Sequence, residues 1–80
     1  MAKAIHSARH QRLVELLIKY RRDAKLTQAE VAQKLGEHQS FVARLESGER
    51  RIDVVELFDL ASVIGFDPVG LVAKLRDEKS

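Results

Sequence analysis

The sequence predicts an all-α fold, a bundle of five short helices in one domain. Three observations predict it. Apolar residues recur at three-to-four spacing, and no run alternates apolar and polar positions as a half-buried strand would. Residues suited to helix starts and stops punctuate the chain at short intervals. The sole proline, Pro68, lies where it opens a helix rather than breaks one.

The first helix is expected from about Ser7 to Lys25, with Leu13, Val14, Leu17 and Ile18 as its buried stripe. The second has a full start signal. Thr27 caps it, Glu30 at the third position completes a capping box, and Leu26 and Val31 can close as a hydrophobic staple. Val31, Ala32 and Leu35 form its inner face, and Gly36 ends it. The third helix runs from about Gln39 to Ser47, with Val42 and Leu45 inward and Gly48 as its stop. The fourth repeats the capping logic of the second. Asp53 caps, Glu56 answers, Ile52 faces Leu57, and Leu57, Leu60, Ala61 and Ile64 make the stripe before Gly65. Asp67 and Pro68 open the fifth, which ends near Arg76.

Composition narrows the function. With 80 residues the chain is expected to be a single domain, residues 1–80, its core about 7–76. The absence of cysteine excludes disulfides and thiolate metal sites. No apolar run reaches the roughly 18 residues of a membrane span, and no signal-peptide pattern is read, so a cytoplasmic location is expected. The net charge is +2, but it is polarised. Residues 1–25 carry seven Lys/Arg against two acids, whereas residues 52–80 carry three against six. Such a dipole turns one end toward a polyanion and leaves the other for a partner. His6 and His10 sit one turn apart without a third ligand and are read as a frayed N-terminal pair, not as a metal site. Phosphate-loop, zinc-protease and nucleophile-elbow patterns are lacking, so no enzyme and no cofactor is expected.

The informative stretch is residues 27–47. Two short helices joined by a tight glycine turn have the shape of a helix-turn-helix. Ala32 stands where the third helix crosses closely, and Val42 and Leu45 anchor that helix inward. Gln39, Ser40, Ala43 and Arg44 remain on its outer face.

The run Leu26-Thr27-Gln28-Ala29-Glu30-Val31-Ala32-Gln33-Lys34-Leu35-Gly36, followed by Arg44-Leu45-Glu46-Ser47-Gly48, resembles the phage-repressor-like helix-turn-helix family, the Cro/lambda-repressor or xenobiotic-response-element class. Leu57, Leu60-Ala61, Ile64-Gly65-Phe66 and Leu71 resemble its last two helices. The resemblance implies a five-helix, lambda-repressor-like domain that binds double-stranded DNA as a homodimer, its third helix entering the major groove. It implies a sequence-specific transcriptional regulator, a repressor. The alternative is an antitoxin-type module that binds a partner protein and uses DNA binding for autoregulation. Carried over by position, Gln39 and Ser40 read bases, Gln28 contacts a phosphate, and the Arg21 guanidinium approaches one. Arg44, one turn on, can reach a guanine or a phosphate and is expected to read a base, and Arg50 and Arg51, just after the third helix, are placed to contact phosphates. Arg21 and Glu46 form a structural pair. A Gln suits adenine and an Arg suits guanine.

Two positions depart from the family pattern. His38 stands at the cap of the third helix, where Ser or Thr is usual, and Glu37 precedes it in place of an apolar residue and faces the expected DNA side. Phe41 beside the readers is expected to pack on the first helix, with contact to a thymine methyl as the alternative. Val55, Phe58, Val63, Val69 and Val72 lie beside or outside the main stripes and are expected to supply a dimer surface.

Overall fold

A computed structural model describes residues 7–78. It contains five helices: α1 (Ala8–Asp23), α2 (Gln28–Leu35), α3 (Gln39–Glu46), α4 (Val54–Ile64) and α5 (Pro68–Arg76). Of the expected N-terminal histidine pair, His6 lies outside the described residues.

Helix starts follow the caps. The Ser7 hydroxyl accepts from the His10 N–H even without an acid three residues on. Thr27 and Asp53 both form complete capping boxes, with Glu30 and Glu56 respectively. Asp67 accepts from the Val69 N–H beside Pro68. The helix stops are less uniform. Gly36 (φ 76°) and Gly65 (φ 99°) take the left-handed conformation that ends α2 and α4 without steric cost. The end of α1 differs from expectation: it stops at Asp23, two residues early. Lys25 adopts φ 60° without being glycine, while its N–H donates to Arg22 and that of Leu26 to Arg21. A lysine in this region carries a steric cost of about 1–2 kcal/mol, which two helix-closing hydrogen bonds help offset.

Helix α2 packs chiefly on α3 and α4, α1 on α3 and α5, and α4 on α5. The shared core comprises Leu16, Leu17, Val31, Ala32, Val42, Leu45, Leu57, Leu60 and Leu71. Ala32 is buried, as a close crossing of α2 and α3 requires. The α1 stripe is shifted from expectation: Leu16 is fully buried, whereas Leu13 and Ile18 are only partly covered. Leu16 faces inward because α1 is covered on two sides, by α3 and by α5, so its apolar arc is wider than one stripe.

Two side-chain contacts close α1 against α5. Arg9 Nε donates to the Leu75 carbonyl at 3.0 Å and Nη2 to that of Glu78, at 2.6 Å, so its guanidinium satisfies the C-terminal end of α5. Tyr20 stacks on Phe66 with centroids 4.7 Å apart, and Lys74 Nζ reaches the Tyr20 hydroxyl at 3.2 Å.

Candidate nucleic-acid interface

The helix-turn-helix begins at the α2 cap. With Thr27 closing on Glu30 and Val31, the backbone N–H groups of Gln28 and Ala29 stay unpaired among the described residues. They lie at the positive end of the α2 dipole. Gly36 then turns the chain, with the Glu37 N–H returning to the Ala32 carbonyl at 2.9 Å. Val42 and Leu45 bury the inner face of α3. Gln39, Ser40 and Arg44 are exposed together on the other side, as expected. Arg44 has no side-chain partner among the described residues.

The C-terminal end of α3 is held by the Arg21–Glu46 pair. Arg21 Nε donates to Glu46 Oε2 at 2.7 Å and Nη2 to Oε1 at 2.8 Å, while Nη1 donates to the Leu26 carbonyl at 2.9 Å. The two side chains are 11% and 9% exposed. The bond to Glu46 raises the Arg21 pKa against the opposing effect of burial. Gln28 Nε2 donates to the same Glu46 Oε1 at 2.9 Å, and Gln39 Nε2 comes within 3.5 Å of Gln28 Oε1. A polar chain therefore runs from the buried arginine to the exposed start of α3. Arg21 sits behind this chain as a support and offers little surface to a phosphate.

At the other end of α3, His38 makes no side-chain capping bond. Phe41 is half-buried and packs against the core. It shares a small cleft with Leu35, Glu37, Glu56, Asp59 and Leu60, between α2 and α4. The Arg50 guanidinium lies 4.6 Å from its ring centroid. Arg50 is in turn paired with Glu56, Nη1 to Oε1 at 2.9 Å and Nη2 to Oε2 at 2.7 Å. The hydrogen bonds from Arg50 hold the Glu56 carboxyl below its ordinary pKa, helped by the Asp53 N–H. Glu37 and Asp53 lie close enough to favour the charged form of Arg50. Of the remaining expected phosphate ligands, Arg51 is exposed, and its side chain has no partner among the described residues. Sequence reasoning missed the role of Glu56 beyond its cap. The available signal was an arginine pair a few residues before a capping-box acid.

The candidate interface thus belongs to a small helix-turn-helix domain whose third helix leaves a polar outer face uncovered. The helix-turn-helix family model matches residues 17–71. An uncharacterized HTH-type transcriptional regulator, y4dJ, from Sinorhizobium fredii is 40% identical over 52 residues, which cover 65% of this chain and 68% of that protein. A solved XRE-family-like protein from Pseudomonas syringae pv. tomato aligns with a TM-score of 0.84 at 49% identity, covering 90% of this chain and 88% of that one. The chain belongs to the helix-turn-helix family, in its XRE, phage-repressor-like class.

Proposed function

We propose that the chain is a sequence-specific, double-stranded-DNA-binding transcriptional regulator, acting as a cytoplasmic repressor and binding as a homodimer. The observation that carries this reading is the outer face of α3. It presents Gln39, Ser40 and Arg44 to solvent on a helix whose inner face and C-terminal end are fixed. Side chains held on a rigid element can form base contacts without a large ordering cost. In this reading α3 enters the major groove with its N-terminus leading. Gln39 pairs with adenine, Arg44 with guanine, and Ser40 adds a less discriminating contact. The α2 terminus at Gln28 and the exposed Arg51 contact phosphates and set the register. Arg21 assists through Glu46 and Gln28. No side chain is given a catalytic role.

Selection from a randomised duplex pool tests the assignment. The wild-type protein is expected to enrich one sequence. Gln39→Ala and Arg44→Ala should each relax the preference at a separate base pair, by ~1–3 kcal/mol of discrimination. Unchanged preference in both variants would place the reading face elsewhere.

A second reading draws on the exposed apolar side chains of α4 and α5 beside an acidic C-terminal half. There a partner protein occupies that surface, and the chain is an antitoxin-type module that binds DNA to autoregulate. Copurification of a stoichiometric partner that masks those residues would favour it.

A further inference from the structure

We propose that Arg50 is a positioning residue of the DNA-reading surface: clamped between Glu56 and Phe41, it fixes the start of α3 instead of neutralising a phosphate. The proposal rests on α3 being the recognition helix.

The two ends of α3 are secured differently. Glu46 ties the C-terminal end to Arg21, deep in the molecule. The N-terminal end, where Gln39 and Ser40 sit, has no side-chain cap. Its first large apolar residue is Phe41, and the orientation of that ring sets where the start of the helix lies. One face of the ring is covered by the Arg50 guanidinium at 4.6 Å, a cation–π contact. The guanidinium is not free to wander. Its two Nη atoms grip both Glu56 oxygens, and Nη1 also donates to the Arg51 carbonyl at 2.9 Å. Glu56 is itself fixed, because Oε1 accepts the Asp53 N–H at 3.1 Å within the α4 capping box. Position is therefore transmitted from the α4 terminus through Glu56 and Arg50 to Phe41 and the start of α3.

The charges around Arg50 oppose a switch to phosphate. Glu56 binds it directly, and Glu37 and Asp53 add to the field that keeps it there. Drawing Arg50 away would leave three carboxylates uncompensated beside the DNA. Held in place, Arg50 also offsets Glu37, the acid whose position before α3 departs from the family pattern. The neighbouring Arg51, exposed and unpaired among the described residues, is the better phosphate ligand.

The two roles predict opposite signs. The full chain is titrated by fluorescence anisotropy against the duplex enriched by the wild-type protein, over a salt series. Glu56→Gln removes a negative charge but keeps a residue suited to the capping box. If Arg50 bound phosphate, this variant would free it and tighten binding, and Arg50→Lys would bind nearly as wild type. If Arg50 positions α3, Glu56→Gln weakens binding about tenfold, the low range for losing one base contact. Arg50→Lys, which keeps the charge but not the planar fork, then weakens binding similarly, with the log–log salt slope unchanged and the preference at the Gln39 base pair relaxed. Tighter binding by Glu56→Gln, or an Arg50→Gln slope reduced by about 0.9, would overturn the proposal. A wild-type chain that enriches no sequence would instead overturn the assignment of α3 as well.

Discussion

Two arginine–glutamate pairs flank α3, and their surroundings give them different energetic weight. Arg50 and Glu56 remain partly solvated, at 32% and 22% exposure. Their contribution is chiefly geometric, because water screens the attraction. Arg21 and Glu46 are nearly buried, and every nitrogen of the guanidinium has an acceptor. Removing one member of such a pair leaves the other desolvated and uncompensated. Arg21→Ala is therefore expected to lower unfolding free energy by ~3–5 kcal/mol. It should also weaken DNA binding, because Gln28 loses its fixed acceptor. Urea unfolding by circular dichroism measures the first effect. A change below ~0.5 kcal/mol, the range of an ordinary surface substitution, would show that Glu46 is solvated after all.

At the scale of the element, the five helices were legible because their punctuation is local. Thr27 with Glu30 and Asp53 with Glu56 act within one turn, and so do Gly36 and Gly65. The outward face of α3 was legible for the same reason: once Val42 and Leu45 point inward, helical geometry turns Gln39, Ser40 and Arg44 outward. Contacts between distant elements were not legible. The burial of Leu16 depends on α5, and the place of Phe41 depends on α4, neither of which is encoded in the period of its own helix. Arg50 was expected on phosphate because it follows directly on the third helix, while its partner Glu56 looked complete as a capping acid. The uneven capping itself leads to a prediction. His38→Ser supplies the hydroxyl that α3 lacks and is expected to add ~0.5–1 kcal/mol, whereas Asp53→Ala removes a working cap and costs ~1 kcal/mol or more. Opposite shifts in urea midpoint at unchanged slope would bear this out. If His38→Ser were neutral or destabilising, the turn itself would already hold the start of α3.

At the scale of the whole molecule, the surface is divided. The outer face of α3 is polar, while α4 and α5 leave Val54, Val55, Phe58, Val69 and Val72 49–70% exposed. Val63, expected among them, packs against the core instead. Val69 and Val72 lie one turn apart on α5, and Val54, Val55 and Phe58 share one side of α4. Burying these faces against a second copy would remove apolar area from water and set two α3 helices on one duplex. A symmetric pair reading successive major grooves needs them about 34 Å apart. Val72→Glu and Phe58→Lys, each at an exposed site, should leave folding within about 0.5 kcal/mol of wild type. Light scattering after size exclusion is expected to find a wild-type dimer. Whichever variant runs as a monomer identifies the helix that forms the interface. That variant should lose the tight binding of a palindromic duplex and keep the weak binding of a half-site. A wild-type chain that stays monomeric at high concentration and still binds the palindrome tightly would mean that the DNA, not α4 or α5, brings the two copies together.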